Sequence, residues 1–114
     1  MENCLFCKII EGKIPATKVF DNGSVIAFKD ITPQAKIHYL FIHKDHTKDI
    51  NEISETASHQ FAEVYKAIAE VSKNEKLDNS GFRVVTNLGA HAGQTVFHTH
   101  FHLLGGEPLG GFGR

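Results

Sequence analysis

Hydrophobic and polar residues along this chain repeat with two different periods, which divide it into strands and helices. Short β-branched or aromatic stretches predict strands, and apolar residues recurring every three or four positions predict helices. Strands are expected at residues 18–20, 25–28, 37–43, 82–87 and 95–104. A short first helix is expected to end near Gly12, and one long helix to run from an N-cap at Ser54 to about Asn74.

The long predicted helix carries a single apolar stripe, and this stripe indicates how the helix packs. It consists of Ala57, Phe61, Val64, Ile68 and Val71. Such a stripe buries one side of a helix against a sheet. Because most connections are of hairpin length, residues 1–114 are predicted to form one α+β domain with a five-stranded, mainly antiparallel sheet. The glycine-rich tail, 105–114, shows no periodicity and is predicted to be a mobile loop or an arm.

Composition excludes several classes of function. The chain has 114 residues, of which 41% are hydrophobic and 22% charged, as is ordinary for a globular domain. A net charge of −1 offers no basic field for DNA or RNA, whereas a small nucleotide needs no such surface. Neither a signal-like start nor an apolar stretch long enough to span a membrane is seen. We therefore expect a cytoplasmic protein that binds neither nucleic acid nor membrane.

The feature that points to chemistry is a run of three alternating histidines, His98, His100 and His102, in the last predicted strand. Residues at i, i+2 and i+4 of a strand face the same side, so the three rings are expected in a row. The residues expected to face the core are Phe97, Thr99, Phe101 and Leu103. Three interpretations stay open, namely a structural role, a catalytic metal site, and nucleophilic catalysis by neutral imidazole.

The residues around this run resemble the signature of the histidine triad (HIT) superfamily. Within that superfamily, residues 93–106 are most similar to the Hint branch, the nucleoside phosphoramidases. The resemblance extends to residues 6–15, which match the opening helix, and to residues 27–35 with His38, which match the ribose-binding strand and loop. One departure is Thr99, which places a half-polar side chain where the signature has an apolar one.

The resemblance implies a hydrolase that cleaves the P–N bond of purine nucleoside 5′-phosphoramidates and releases AMP or GMP. His100 would attack the α-phosphorus, forming a nucleotidyl-histidine intermediate that water then hydrolyses, without a cofactor. His102 would hydrogen-bond the phosphate and assist the leaving amine. His98 would hold the loop geometry, with His38 as its buried partner. The alternatives are a dinucleoside polyphosphate hydrolase and a non-catalytic nucleotide-sensing adaptor.

The same resemblance implies a nucleotide site and a homodimer. Asp30 would accept hydrogen bonds from both ribose hydroxyls, although by itself it is typical of a turn residue. The side chains expected around the purine base are Phe6, Ile9, Phe28 and Ile31. Those expected at the phosphate or leaving group are Asn87, Gly93 and Thr95. The sheet would continue across two symmetric copies of the chain.

Two thiols, Cys4 and Cys7, lie at the predicted first helix. The resemblance to some triad proteins and to galactose-1-phosphate uridylyltransferases implies a structural zinc site that His46 and His98 complete. The alternative is a pair of buried thiols without a metal. Zinc bound by His98 excludes a contact of the same ring nitrogen with His38. The remaining histidines are expected at the surface: His43, His59 and His91.

Overall fold

The computed structural model describes residues 3–111, in which four α-helices surround one five-stranded sheet. In chain order the elements are α1 (Leu5–Ile10), β1 (Lys18–Asp21), β2 (Val25–Lys29), β3 (Ile37–His43), α2 (Ile50–Thr56), α3 (Ser58–Asn74), α4 (Leu77–Ser80), β4 (Phe82–Val85) and β5 (His100–Gly105). The strand order is β1-β2-β3-β5-β4, and all neighbours are antiparallel. The predicted α+β class and antiparallel sheet are confirmed. None of the described helices is long and apolar enough to cross a membrane.

The two faces of the sheet build two different cores. One face packs against α3, and its central side chains, Phe41 and Leu103, are fully buried. The other face packs against α1 through residues of β2 and β3, among them Phe28 and Leu40. The neighbouring part of that second face, on β5 and β4, carries the titratable and polar side chains, beginning with His102. The short helix α1 therefore leaves room on this face for a site.

The last two strands are shorter than predicted. β5 begins at His100 and β4 ends at Val85. His98 therefore precedes the strand, and the expected row of three rings on one strand face is wrong. Phe97 was expected in the core but is 58% exposed. The other three residues expected to face inward are buried: Thr99, Phe101 and Leu103.

Hydrogen bonds to a neighbouring loop explain why residues 94–99 leave the sheet. The backbone N–H of Thr99 donates to the carbonyl of Thr47 at 2.7 Å. The side chain of Gln94 donates to the carbonyl of Lys48 at 2.8 Å and accepts from the N–H of Gly89 at 2.9 Å. These bonds satisfy backbone groups that a strand ladder would otherwise pair.

The predicted long helix is divided in two at Ala57, which has φ −150° and ψ 49°. Asp49 caps α2 by accepting from the N–H of Glu52, so the helical region starts earlier than expected. Ser54, the predicted N-cap, lies inside α2, where its hydroxyl donates to the carbonyl of Asn51. The predicted apolar stripe is confirmed, because Val64, Ile68 and Val71 are buried. A turn expected at residues 78–81 is the short helix α4.

Hydrogen bonds hold the described part of the predicted tail against the sheet. The Glu107 carboxylate accepts from the N–H of Lys36 at 2.7 Å. The carbonyl of Gly110 accepts from the Arg83 guanidinium at 2.9 Å. Residues 107–110 are thus held by the sheet rather than forming a free arm, and residues 112–114 of the predicted tail lie outside the described residues.

Packing of α3 on the sheet predicts a specific loss of stability. Ile68 is fully buried in the core beneath α3. We expect Ile68→Ala to lower the free energy of unfolding by about 2–5 kcal/mol, because it removes buried methyl groups and leaves a cavity. Urea unfolding followed by circular dichroism measures the change. Lys66→Ala, at an exposed position of the same helix, is the control, and equal effects of the two substitutions would contradict this packing.

Candidate active site

Three neighbouring strands bring four of the predicted residues together. β5 places His100 and His102 on one face, with ring centroids 5.2 Å apart. β3 places His38 beside them, with its Nε2 atom 2.8 Å from His102 Nδ1. Asp30 directly follows β2, and its Oδ2 atom lies 3.3 Å from His38 Nε2. The antiparallel register therefore assembles three imidazoles and a carboxylate from distant parts of the chain.

The expected contact between His98 and His38 is wrong, because His38 pairs with His102 instead. The register sets His38 opposite Leu104 on β5, which places His102 at the adjacent position on the same face. His98 lies before the start of β5, away from His38 along the strand. Its Nε2 atom lies 2.9 Å from the carbonyl oxygen of His43. The two histidines thus belong to separate hydrogen-bond networks.

His100 is held in a tautomer that leaves one ring nitrogen unprotonated. Its Nδ1 atom lies 2.7 Å from the carbonyl oxygen of His98. Since a carbonyl only accepts, Nδ1 carries the proton and Nε2 keeps its lone pair. The ring of Phe6 packs edge-on against His100, with centroids 5.0 Å apart. Burial lowers the pKa of His100, so the imidazole is neutral at pH 7 and can act as a nucleophile.

A chain of hydrogen bonds gives His102 the opposite tautomer. The N–H of Gln34 donates to His38 Nδ1 at 3.0 Å, so His38 carries its proton on Nε2. His38 Nε2 then donates to His102 Nδ1, which leaves the proton of His102 on Nε2. Burial, with the neighbouring rings of His100 and His38, lowers the pKa of His102 to about 4. The site therefore offers a neutral N–H donor beside an unprotonated nitrogen.

Two clefts border this group of residues. An apolar cleft of about 560 Å³ lies between α1 and β2. The four side chains predicted to surround a purine all border it: Phe6, Ile9, Phe28 and Ile31. Ile31 is 96% exposed and forms an outer edge, whereas the other three are buried. A second, polar cleft of about 200 Å³ lies over β4 and β5, and its lining includes His38 and His102.

Asp30 combines the two roles that the sequence suggested for it. Its Oδ1 atom accepts from the N–H of Thr32 at 2.8 Å and from the Thr32 hydroxyl at 3.2 Å, as in a turn. Its Oδ2 atom faces His38, and the residue borders the apolar cleft. Each carboxylate oxygen has two lone pairs, so the side chain can also accept from ligand hydroxyls.

The residues predicted at the phosphate or leaving group are spread over three places. Asn87 borders the polar cleft together with His102. Thr95 borders a different cleft, next to Cys4. Gly93 follows the 3₁₀ turn Ala90–Ala92 with a φ of 86°, and its N–H bonds to that turn. The structure brings Asn87 to His102 but does not bring Thr95 into that cleft.

A second cluster contains the four predicted metal ligands, whose ligating atoms all lie within 4.8 Å of one another. Nδ1 of His98 lies 3.4 Å from Cys4 Sγ and 3.5 Å from Cys7 Sγ, and Nδ1 of His46 lies 3.4 Å from Cys7 Sγ. Ligand atoms around a tetrahedral zinc ion stand about 3.5 Å apart, given bonds of about 2.0 Å to nitrogen and 2.3 Å to sulfur. This donor set fits zinc.

The orientation of His98 fits the same site. Because its Nε2 atom donates to the carbonyl of His43, Nδ1 is left unprotonated toward the two thiols. A ligating histidine is usually oriented by such an acceptor behind its other nitrogen. Cys4 is also the N-cap of α1 and accepts from the N–H of Cys7 at 3.3 Å. Burial is the main reason that the pKa of Cys7 rises to about 11, so binding of a metal ion would release its proton.

Comparison with known proteins identifies the family. The family model described as "HIT domain" matches residues 11–109 of the chain. The chain belongs to the HIT family. It is 37% identical over 109 residues to the purine nucleoside phosphoramidase of Escherichia coli K12, covering 96% of this chain and 92% of that protein.

Solved structures of HIT proteins share the fold of this HIT protein. A HIT family hydrolase from Clostridium thermocellum superposes with a TM-score of 0.90 at 44% identity, over 96% of both chains. A histidine triad protein from Clostridium difficile superposes with a TM-score of 0.92 at 36% identity, over 98% of this chain and 97% of the other. The predicted membership of the triad superfamily is confirmed.

Three residues near the site of this HIT protein were not found from its sequence. His43 was expected at the surface but is 6% exposed, and its Nε2 atom contacts Glu63 at 3.2 Å. Its position in a nearly continuous apolar strand was a signal of burial, since a central strand is covered on both faces. Gln34 and Arg83 border the polar cleft. The pairing of β4 with β5 brings Arg83 to His102, whereas Gln34 reaches His38 by a hydrogen bond four residues along the chain. His59 and His91 are exposed, as expected.

Burial of neutral histidines predicts that this HIT protein loses stability in mild acid. The pKa of His102 is about 4 in the folded chain and about 6.5 in an unfolded one. Between these values the unfolded chain binds more protons, so the free energy of unfolding rises with pH. We expect the free energy of unfolding to fall as the pH is lowered from 6.5 to 4. Each buried histidine with such a lowered pKa contributes up to about 1.4 kcal/mol per pH unit.

Urea unfolding at several pH values measures this dependence. His102→Asn removes one titrating group and is expected to give a shallower slope between pH 6.5 and pH 4. The control, His59→Asn, changes an exposed histidine and should keep the slope of the unmodified protein. A slope that His102→Asn leaves unchanged would show that His102 is not held neutral in the folded state.

Proposed function

We propose that this HIT protein is a nucleotide-binding hydrolase that cleaves the P–N bond of purine nucleoside 5′-phosphoramidates. The observation that carries the proposal is the pair of opposite tautomers, with an unprotonated Nε2 on His100 and an Nε2–H on His102. A nucleophile and a proton donor side by side are what substitution at phosphorus requires. The 37% identity to a purine nucleoside phosphoramidase supports the same reaction class.

The proposed reaction has two steps. In the first, the anionic phosphate beside His102 favours its imidazolium form, which takes the extra proton from solvent. His100 Nε2 attacks the α-phosphorus, the P–N bond breaks, and the leaving nitrogen takes a proton from His102, which becomes neutral imidazole. In the second, water attacks the phosphorus, the bond to His100 breaks, and the proton of water returns to His102. The products are the nucleoside monophosphate and an amine. The two imidazoles supply the nucleophile and the proton, so neither step calls for a cofactor.

In this proposal the nucleoside occupies the apolar cleft. The purine lies among Phe6, Phe28 and their neighbours, and the ribose hydroxyls donate to Asp30. The position of Asp30 supports this, because its carboxylate borders both the apolar cleft and His38. Apolar contacts provide little to distinguish adenine from guanine, so we expect both nucleotides to be accepted.

Loss of the nucleophile gives the first test of the proposed reaction. We expect the unmodified protein to release AMP from adenosine 5′-phosphoramidate, and His100→Ala to be slower by at least about 10³-fold. The rates are measured by chromatography of AMP. His59→Ala, at an exposed position of α3, serves as the matched control and keeps the rate. A folded, unmodified protein that releases no AMP would rule out the proposed activity.

The same variant separates the alternative functions. Hydrolysis of dinucleoside polyphosphates would use the same histidine but would favour that substrate over the phosphoramidate. In a non-catalytic adaptor, His100→Ala would keep both nucleotide binding and the cellular role. AMP binding by calorimetry and growth tests with the variant distinguish these cases from an enzyme, which loses its role with its activity.

We also propose that Cys4, Cys7, His46 and His98 hold a structural zinc ion. The donor set, the spacing of the ligating atoms and the tautomer of His98 support this proposal. The ion would tie the start of α1 to the loop that precedes β5. It would supply cross-linking of the fold and no chemistry at phosphorus.

Removal of a zinc ligand gives a test that does not depend on catalysis. We expect one zinc ion per chain by elemental analysis of the purified protein. Cys7→Ser should lose the ion and lower the unfolding temperature, because metal binding stabilises only the folded state. His59→Ala is expected to keep both. Protein purified from zinc-supplemented cells without bound metal, and with no stabilisation by added zinc, would contradict the site.

We further infer a homodimer formed through β4. This strand lies at the edge of the sheet, and each of its four residues is only half-buried in the single chain. On the neighbouring helix α3, Tyr65 is 44% exposed. Pairing of β4 with the same strand of a second copy would continue the sheet across the dimer and satisfy its free backbone groups.

A further inference from the structure

The cluster assigned to zinc contains both thiols of the chain. Cys4 and Cys7 are the only cysteines in the sequence, and each is partly exposed. The four side chains of the cluster come from α1, from the loop after β3 and from the residues before β5. Helix α1 packs over β2 and β3, whereas the proposed dimer contact runs along β4 at the far edge of the sheet. The contacts of the two thiols are therefore made within one chain.

A cleft beside the cluster gives small molecules access to one of the two thiols. This cleft has a volume of about 390 Å³, and its lining includes Cys4 and His46. The exposed side chains of Leu5 and Phe97 form part of its wall. Of the two cysteines, Cys4 is the one that borders the cleft. A partly exposed thiol with a second thiol next to it is the arrangement found in redox-sensing cysteines.

The two sulfurs are close enough to be joined by a small movement. They lie 3.4 and 3.5 Å from the same atom, Nδ1 of His98. Cys4 is the N-cap of α1, and its sulfur accepts from the N–H of Cys7. Residues three apart on a helix have Cβ atoms about 5–6 Å apart, and a disulfide needs about 3.8 Å. A bond between the two sulfurs therefore pulls the start of α1 inward.

We propose that Cys4 and Cys7 are a redox-sensitive modification site, at which a peroxide closes a disulfide, removes the metal site and weakens nucleotide binding. This inference rests on the proposed function, because it uses the zinc site and the nucleotide cleft assigned there. Zinc is bound by the thiolate form of cysteine, and a disulfide has no thiolate. Oxidation therefore removes two of the four ligands at once.

The proposed oxidation has two steps. The Cys4 thiolate attacks one oxygen of hydrogen peroxide, the O–O bond breaks, and the products are the sulfenic acid of Cys4 and hydroxide. The Cys7 thiolate then attacks the sulfur of Cys4, the S–O bond breaks, and a second hydroxide leaves. Both hydroxides take protons from solvent and become water. The two sulfurs lose two electrons in total, and the peroxide gains them.

Helix α1 carries the effect of oxidation to the nucleotide cleft. Phe6 lies between the two cysteines in the chain, borders the apolar cleft and packs edge-on against His100. The cluster ties this segment to His98, whose carbonyl oxygen accepts from His100 Nδ1. Once the disulfide has released His46 and His98, α1 is held mainly by the apolar contacts of Phe6 and Ile9. The inward pull at the start of α1 then shifts Phe6 and loosens the nucleoside site.

The test follows zinc, thiols and nucleotide binding in one sample. Zinc-loaded protein is treated with hydrogen peroxide in slight molar excess, and a chromogenic chelator measures the zinc released. Mass spectrometry of the intact chain counts the disulfides, and calorimetry measures the affinity for AMP. We expect one zinc ion released per disulfide and a Kd for AMP about tenfold higher, because the aromatic packing around the base is weakened. Reduction with a phosphine, followed by zinc, should restore the original Kd.

Two controls separate the disulfide from other effects of the oxidant. Cys7→Ser keeps Cys4 but has no second thiol, so its Kd for AMP should be the same with and without peroxide. Circular dichroism shows whether this variant is folded. Unmodified protein that is reduced and stripped of zinc should have a Kd between those of the zinc-loaded and oxidised forms, because its thiols still bond to His98 and His46. If the stripped and oxidised forms bind AMP equally weakly, metal loss explains the effect and the role of the disulfide is overturned.

Failure of this inference differs from failure of the proposed function. Untreated protein that contains no zinc and gains none when zinc is added would rule out the zinc site and the redox site together. Untreated protein that releases no AMP from adenosine 5′-phosphoramidate would rule out the phosphoramidase only, since no measurement here uses that reaction. Zinc-loaded protein that keeps its zinc and both thiols in peroxide would overturn the redox site alone. Formation of the disulfide with an unchanged Kd for AMP would do the same.

Discussion

The buried imidazole of His98 connects the parts of the structure on which the site depends. This residue is 1% exposed, and both of its ring nitrogens and its carbonyl oxygen have partners. Its Nε2–H donates to the end of β3, its Nδ1 faces the thiols of α1, and its carbonyl accepts from His100. A change at the thiol cluster would therefore be felt at the nucleophile through a single residue. Histidine is suited to this position because its two ring nitrogens can play different roles at once.

The second constraint on the site is that its histidine side chains are buried in their neutral form. His38, His100 and His102 lie in surroundings that disfavour imidazolium, so their pKa values are lowered. The same burial that weakens the fold in acid keeps the nucleophile unprotonated at neutral pH. Hydrogen bonds from Gln34 to His38 and from His38 to His102 then select the tautomers. Solvation sets the protonation state, and the network decides which nitrogen carries the proton.

The asymmetric covering of the sheet explains how one face holds two kinds of cleft. Helix α3 covers the opposite face with a continuous apolar core. Helix α1 has only six residues and packs over β2 and β3, which leaves the β4 side to be covered by residues 107–110 of the tail. An apolar cleft therefore forms under the helix, and a polar cleft forms under the tail.

Local sequence determined most of the elements of this protein. Period-two and helical patterns located β1, β2, β3 and α1, because side-chain alternation follows from backbone geometry alone. The histidine run and the residues that match the opening helix and the ribose-binding loop pointed to the triad superfamily, and the family comparison confirmed it. The predicted bounds of strands and helices were wrong where other local interactions override the regular hydrophobic pattern. The hydrogen bond of Gln94 to Lys48 and the hydrogen bond between Thr47 and Thr99 hold residues 94–99 outside β5. The backbone conformation of Ala57 divides the predicted long helix into two.

Tertiary structure decided which of the candidate residues meet. The partner of His38 depends on the register of β3 against β5, which no local pattern specifies, because a shift along the strand would pair other residues. The approach of Arg83 to His102 likewise depends on the pairing of β4 with β5. His46 joins the cysteines only because the loop after β3 returns to α1. Sequence thus determined the chemistry that is present, and long-range strand pairing decided how it is combined.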